Sequence, residues 1–264
     1  MSWFALYQKD LRANNLRLVV NISLLLLFFL SIFFIMFRYN NEFILMSFVP
    51  VLMLHVIYLL IGMFDSLSKE WRNHNVNLWL NIPQSGWSLI TAKFSAVATH
   101  FLVSLAVTFL GFYLFIFVFN NQISEPFFIA LSILHTYWYV PVFILILASL
   151  QLGAFATVLY FISKTVYKGG WILAVAIGFG AHYVWNVVKN TDIYRAMTEW
   201  GALITPADIQ ATLHQLMLVE ADVGVSVDMD GTFYLGYLVS EAVIIIALLI
   251  IASWLLDRYV QLYK

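Results

Sequence analysis

The sequence predicts an all-α membrane protein with six transmembrane helices in one domain, residues 1–264. Of its residues, 63% are hydrophobic and only 10% are charged, whereas a soluble domain carries about 25% charged residues. Six runs of the chain are also apolar over the roughly 20 residues that a bilayer core requires. Because so few charges cannot cover a water-facing surface, a membrane protein is the class that fits.

Residues 1–16 predict an amphipathic helix before the first span. Its apolar face holds Trp3, Phe4, Tyr7 and Leu11, and the opposite face largely holds Gln8, Lys9, Asp10 and Arg12. Such a pattern is typical of a helix that lies in the headgroup layer. We therefore expect an interfacial helix, with a cytosolic extension of the first span as the alternative.

The charged residues divide the rest of the chain into apolar runs. The six runs lie between Arg17 and Arg38, Glu42 and Asp65, Lys93 and Glu125, Glu125 and Lys164, Lys168 and Lys189, and from about Phe233 to Leu256. The fourth is long for one crossing, so we expect tilt or an interfacial start near Pro126. Only Glu241 interrupts the sixth.

The positions of Lys and Arg predict the orientation. With the N-terminus inside, the outer segments hold three of the 13 basic residues, Arg38, Lys189 and Arg195, and the inner segments hold the other ten. Basic residues accumulate in cytoplasmic loops. Both termini and the segment 65–93 are therefore predicted to be cytoplasmic in a multi-pass protein.

The longest predicted outer loop, 189–232, is acidic. Within it, Thr205 is a candidate helix N-cap, followed by Pro206 at the first helical position and by Asp208. This pattern predicts a short outer helix between the fifth and sixth spans. The stretch DVGVSVDMDG lacks the ligand spacing of an EF-hand, so we expect no metal site.

The inner segment 65–93 is polar and carries Trp71, Trp79 and Trp87, which suit a headgroup interface. The spacing of Leu78 and Ile82 allows a short helix that Pro83 would end. A segment of this character between two apolar runs is suited to docking on a soluble partner.

This inner segment resembles the cytoplasmic loop of ABC-2 type permeases, the membrane subunits of ATP-binding-cassette exporters. The residues that carry the resemblance are Glu70, Arg72, Asn73, Leu78, Leu80, Pro83, Ser85, Ile90 and Lys93. Trp79 lies within the same stretch, and we assign it to coupling as well. The resemblance implies a coupling helix between spans two and three that docks on a cytosolic ATPase subunit. It further implies a second contact at Ser163–Lys168, which includes Lys164 and Lys168.

The same resemblance implies a working unit of two permeases, the second being another copy or a paralogue, in the bacterial inner membrane. The chain has no Gly-x-x-x-x-Gly-Lys-Ser/Thr phosphate loop. ATP and Mg would therefore bind the partner ATPase, and we expect no cofactor and no ATPase site on this chain.

Catalytic and metal-binding roles find no support in the sequence. There is no cysteine, and no histidine pair has the HExxH spacing of a helical zinc site. His55, His100, His135 and His182 fall in different apolar runs, where interhelical hydrogen bonding is the expected role. His182 and Asn186 match one protease motif that also needs a Glu-Glu pair, which is absent. A net charge of −1 does not indicate nucleic acid.

Two features of the later spans point to packing and transport. Gly170, Ala174 and Gly178 recur every four residues, which predicts close helix packing either within the chain or across a dimer. A carboxylate within a span is costly in lipid, so Glu241 either lines the translocation path or bonds a neighbouring helix. We assign Glu241 and His182 to that path.

The leading hypothesis is the permease subunit of an ABC exporter. The chain is 17% aromatic and few charges lie in its spans, so its cargo is expected to be amphipathic or hydrophobic: a peptide, an antimicrobial or a lipid-like molecule. The alternatives are an ATP-independent secondary transporter and a membrane scaffold or immunity protein.

Overall fold

The computed structural model describes residues 2–73, 79–165, 169–217 and 232–260. Within them, six helices are long and apolar enough to cross a membrane. They are span 1 (Asn15–Tyr39), span 2 (Glu42–Arg72), span 3 (Gly86–Gln122), span 4 (Tyr139–Thr165), span 5 (Gly170–Lys189) and span 6 (Leu235–Arg258). The prediction of six such helices is confirmed.

Shorter elements flank and connect the spans. They are the helices Trp3–Ala13, Glu125–Thr136, Asp192–Thr198 and Pro206–Met217, and an antiparallel pair of strands, Ala202–Ile204 with Phe233–Tyr234. The helix Glu125–Thr136 precedes span 4 and accounts for the length of the fourth apolar run.

The N-terminal helix (Trp3–Ala13) packs along span 3 and separates from span 1 at Asn14. Its aromatic residues Trp3 and Phe4 are exposed, as an interfacial helix requires, whereas Leu6 and Asp10 are buried. Sequence spacing placed Asp10 on the polar face. The structure turns it toward the bundle, where it is paired with a lysine of span 3.

Span 2 is not one continuous helix. A 3₁₀ turn, Glu42–Ser47, leads into the helix Phe48–Val56, and a break at Ile57 precedes the helix Tyr58–Arg72. Near the break, the Leu59 N–H donates to Ser149 Oγ (3.4 Å) and Arg17 Nη2 donates to the Tyr58 carbonyl (3.2 Å). Such partners are needed where backbone groups leave the helical pattern in an apolar environment.

The helices of spans 2 and 3 extend into the segment assigned to an inner loop. Span 2 stays helical to Arg72 and span 3 begins at Gly86. An i, i+4 ion pair between Asp65 and Lys69 (2.8 Å) supports the helix beyond its apolar part. The connection between the two spans is therefore shorter than residues 65–93.

The contacts define two ends of the helical bundle. At the loop end lie the N-terminal helix, residues 79–86 and Asp257, whose Oδ1 accepts the Gly86 N–H at 2.9 Å. At the far end, the Glu42 carboxylate accepts the N–H (2.6 Å) and Oγ–H (2.9 Å) of Ser124. The core has two apolar clusters, one of them rich in phenylalanine around Phe29, Phe48 and Phe115.

The small-residue stripe of span 5 packs against span 4 within the chain. A Cβ at Gly170 would collide with the Ser163 carbonyl oxygen, and one at Gly178 would meet Leu159 at 3.4 Å. Ala174 is buried as well. Of the two arrangements that the sequence allowed, this is the intramolecular one.

The helix Pro206–Met217, predicted as an outer helix, begins where the N-cap pattern places it. The Asp208 N–H donates to Thr205 Oγ1 (3.3 Å), and the Thr205 N–H donates to Asp208 Oδ2 (2.8 Å). Tyr137, just before span 4, lies in hydrogen-bond contact with Thr212 Oγ1 (2.9 Å). Residues 218–231, with the calcium-like stretch, lie outside the described residues.

Candidate functional site: a buried lysine at the loop end and a lateral cavity

Lys93 of span 3 joins three helices at the loop end. Its Nζ donates to Asp10 Oδ1 (3.0 Å), Glu70 Oε1 (3.0 Å) and Ser66 Oγ (3.4 Å). The lysine is only 2% exposed. A buried charge is tolerated when paired and hydrogen-bonded, and here one cation serves a carboxylate from the N-terminal helix and one from span 2.

Trp79 covers this lysine. Its indole is as deeply buried as the lysine, and Lys93 Nζ lies 5.6 Å from its ring centroid, a cation–π distance. Trp71 of span 2 packs edge-on against Trp79, with ring centroids 6.2 Å apart. The tryptophan of the loop is thus anchored to the helices by the same residue that pairs the two carboxylates.

Two further contacts connect the loop end. Lys69 Nζ donates to Asn14 Oδ1 (3.3 Å) while it pairs with Asp65, which ties the start of span 1 to span 2. The Asp257 carboxylate caps the first turn of span 3, where the helix dipole favours a negative charge. The N-terminal helix and spans 1, 2, 3 and 6 therefore meet here.

The residues assigned to ATPase coupling divide into two sets. Glu70, Trp79 and Lys93 are buried, so their side chains are anchors and do not lie on a surface that a partner could contact. Arg72, Asn73 and Pro83 are exposed. Leu80 is half-buried against the core. Lys164 is also half-buried, and its Nζ lies 5.6 Å from the Trp71 ring centroid. Leu78 and Lys168 lie outside the described residues.

A lateral cavity of about 640 Å³ lies between spans 2, 3 and 4 and the helix Glu125–Thr136. Its wall is mainly apolar and includes Phe48, Leu52, Phe109, Phe112 and Leu145. Polar groups among its lining residues are those of Thr108, Tyr113, Asn120, Ser132, His135, Thr136 and Trp138. A mostly apolar wall with a few polar groups, at this volume, is typical of small-molecule sites.

A polar network lies behind the cavity. His55 Nδ1 lies 2.9 Å from the Val51 carbonyl oxygen, which only accepts, so Nδ1 carries the hydrogen. His55 Nε2 faces Ser104 Oγ (3.0 Å) and Thr108 Oγ1 (3.3 Å) of span 3, and Ser104 Oγ donates to Asn21 Oδ1 (3.1 Å). The expected interhelical hydrogen bond of His55 is confirmed, and Thr108 links it to the cavity.

Glu241 and His182 do not line this cavity. Glu241 is half-buried near the far end, its Oε2 has no hydrogen-bond partner among the described residues, and the charge of Lys189 acts on it. Burial raises the pKa of Tyr194, and the nearby charge of Glu241 raises it further. The hydrogen bond with Ser240 lowers this pKa in part. His182 is exposed and bonds Asn186 (3.1 Å).

Sequence reasoning missed Asp10 as a partner of Lys93, and it missed the cavity. The lining residues come from three spans and the helix Glu125–Thr136, so no contiguous motif marks them. Within the described part of the chain, no three His, Cys, Asp or Glu residues are grouped as a metal site would require.

Comparison of the chain with protein-family models, with curated proteins and with solved structures found no match. The resemblance to ABC-2 permeases therefore rests on the loop residues and on the order of the elements. The geometry of the loop end and of the cavity stands independently of it.

Proposed function

We propose that this chain is the permease subunit of a membrane exporter that moves an amphipathic or hydrophobic molecule. The energy comes from ATP hydrolysed by a separate cytosolic subunit. The observation that carries the proposal is the buried Lys93, which joins the N-terminal helix, span 2, span 3 and Trp79 in one body. Force applied to the loop would reach the spans through this body.

The loop end offers a surface and a set of anchors behind it. Arg72, Asn73 and Pro83 form the exposed surface on which the ATPase docks. Because packed elements move as rigid bodies between discrete arrangements, closure of the ATPase would rock spans 2 and 3. With no phosphate loop in the sequence, ATP and Mg bind the partner.

In this proposal the loop end faces the bacterial cytoplasm, as the distribution of Lys and Arg favours. Two permease chains, identical or paralogous, assemble with two ATPase subunits. The cargo binds in the lateral cavity, whose wall is mainly apolar.

Co-purification tests the docking surface. The tagged chain and Arg72→Glu would each be purified from membranes with the ATPase that co-elutes, identified by a phosphate loop in its sequence. Arg12→Glu is the matched control, because Arg12 is an exposed arginine on the N-terminal helix at the same end. We expect wild type and Arg12→Glu to retain the ATPase. With Arg72→Glu, the amount of ATPase that co-elutes should fall at least tenfold. Equal retention by all three would overturn the docking surface.

One observation favours a second candidate, an ATP-independent secondary transporter. The titratable His55 lies inside the bundle in contact with Thr108, a cavity residue. Polar groups near the middle of spans are typical of ion-coupled sites. Uptake by the purified chain, driven by a pH gradient and lost in His55→Gln, would favour this candidate over the exporter.

A further inference from the structure

A second, polar pocket of about 580 Å³, largely open at the protein surface, lies at the far end. Asn120 lines the cavity and Asn121, the next residue, lines the pocket. The Phe43 ring of the pocket packs edge-on against Phe127, with centroids 5.6 Å apart. Residues that line the two spaces are therefore neighbours in the chain where span 3 ends, and Phe127 precedes the cavity residue Phe128.

Neutral amides dominate the pocket. Asn40, Asn41, Asn121 and Gln122 line it, flanked by the exposed rings of Tyr39 and Phe43. Each amide carries donors and an acceptor, a match for hydroxyl and amide groups. The Asn41 oxygen already accepts the Phe43 N–H (3.1 Å), so its NH₂ group is the part that faces no backbone partner among the described residues. Within the described part of the chain, no lysine or arginine lines the pocket, and the Glu42 carboxylate accepts the N–H and Oγ–H of Ser124, so it adds a negative charge that disfavours anionic head groups.

The apolar cavity has the length of a hydrocarbon chain in one leaflet. From Thr108 to Asn120, span 3 rises about 18 Å at 1.5 Å per residue. One leaflet of a bilayer core is about 15 Å deep. The wall along this rise includes Phe109, Phe112 and Ile116, so it accepts hydrocarbon over most of its length.

We infer that the two pockets form one site for a single-chain amphiphile with an uncharged, hydroxyl- or amide-bearing head group. The hydrocarbon chain lies along span 3 between Thr108 and Asn120, and the head group lies among Asn40, Asn41, Asn121 and Gln122. This inference rests on the proposed function for its meaning, since it names the cargo class, but the binding itself needs no ATPase.

Head-group selectivity distinguishes this site from nonspecific contact with lipid. A dodecyl maltoside carrying a diazirine on its tail would be photo-crosslinked to the purified chain in phosphatidylcholine nanodiscs. Dodecyl maltoside, dodecylphosphocholine and dodecyltrimethylammonium would compete. We expect adducts within residues 109–117. We expect the maltoside to compete at a concentration at least tenfold below the concentration of dodecyltrimethylammonium that competes equally.

Two variants test the head-group end. Asn121→Ala with Gln122→Ala should weaken competition by the maltoside about tenfold, while the double variant still folds because both side chains are exposed. Asn190→Ala is the control, an exposed amide at the same end that lines neither pocket. Adducts spread evenly over spans 1 and 5, or equal competition by the three head groups, would overturn the site. Neither result would bear on ATPase docking.

Discussion

At the scale of single residues, the central feature is one lysine shared by two buried carboxylates. Lys93 and Glu70 belong to the loop motif, so the sequence singled them out, but for ATPase docking and not for a buried ion pair. Asp10 was not singled out, because it lies 83 residues from Lys93 and on a helix whose spacing placed it with the polar residues. Its position follows from tertiary packing of the N-terminal helix on span 3.

Replacing Lys93 tests this arrangement. Lys93→Met leaves Asp10 and Glu70 buried without a cation, and breaking such a pair costs about 3–5 kcal/mol. Denaturant unfolding of the purified chain in detergent should show this loss. Adding Asp10→Asn and Glu70→Gln removes the unpaired charges and should restore most of the stability. Equal stability of Lys93→Met and wild type would contradict the account.

The capping residue Asp208 gives a pH prediction. The hydrogen bonds from the Thr205 hydroxyl and N–H lower the pKa of this carboxyl. A lowered folded-state pKa contributes stability above the ordinary Asp value, about 3.9, and loses it as pH falls through the folded value. NMR titration should place Asp208 below that value in wild type. Thr205→Val should move it upward, and an unchanged midpoint would refute the cap.

At the scale of elements, the sequence identified the apolar spans and the cap of the helix Pro206–Met217 because both are local patterns. It did not identify the break at Ile57 in span 2. That break depends on Ser149 and Arg17, which come from spans 4 and 1 and supply partners for backbone groups. The stripe of small residues in span 5 was recognisable, but its partner helix was not.

Two glycines of span 5 test the packing of spans 4 and 5. Gly170→Ala places a Cβ against the Ser163 carbonyl, whereas a Cβ at Gly180 meets nothing within 4 Å. Overpacking typically costs about 1–3 kcal/mol, so Gly170→Ala should lower the unfolding free energy. Gly180→Ala should leave it unchanged or raise it by up to ~1 kcal/mol through helix propensity. A larger loss of unfolding free energy in Gly180→Ala than in Gly170→Ala would contradict packing of the stripe against span 4.

At the scale of the whole molecule, the surface of the loop end was in part predictable and the cavity was not. Arg72, Asn73 and Pro83 are exposed in a polar segment that composition alone singles out. The cavity residues are ordinary apolar residues in sequence, and only the fold brings spans 2, 3 and 4 together around a space.

The sidedness of the molecule is directly measurable, because the chain has no cysteine of its own. Pro83→Cys marks the loop end and Asn190→Cys marks the far end, and both positions are exposed. With an impermeant maleimide, Asn190→Cys should label in right-side-out membrane vesicles and Pro83→Cys in inside-out vesicles. The opposite pattern would invert the proposed orientation.

Transport by purified components tests the central claim, that force enters the chain through the loop end from a partner that hydrolyses ATP. Proteoliposomes would contain the chain alone, the chain with its ATPase, or Arg72→Glu with that ATPase, and movement of a fluorescent amphiphile would be followed with and without ATP. We predict movement only for the wild-type pair with ATP. Equal movement by the chain alone, without nucleotide, would contradict the account.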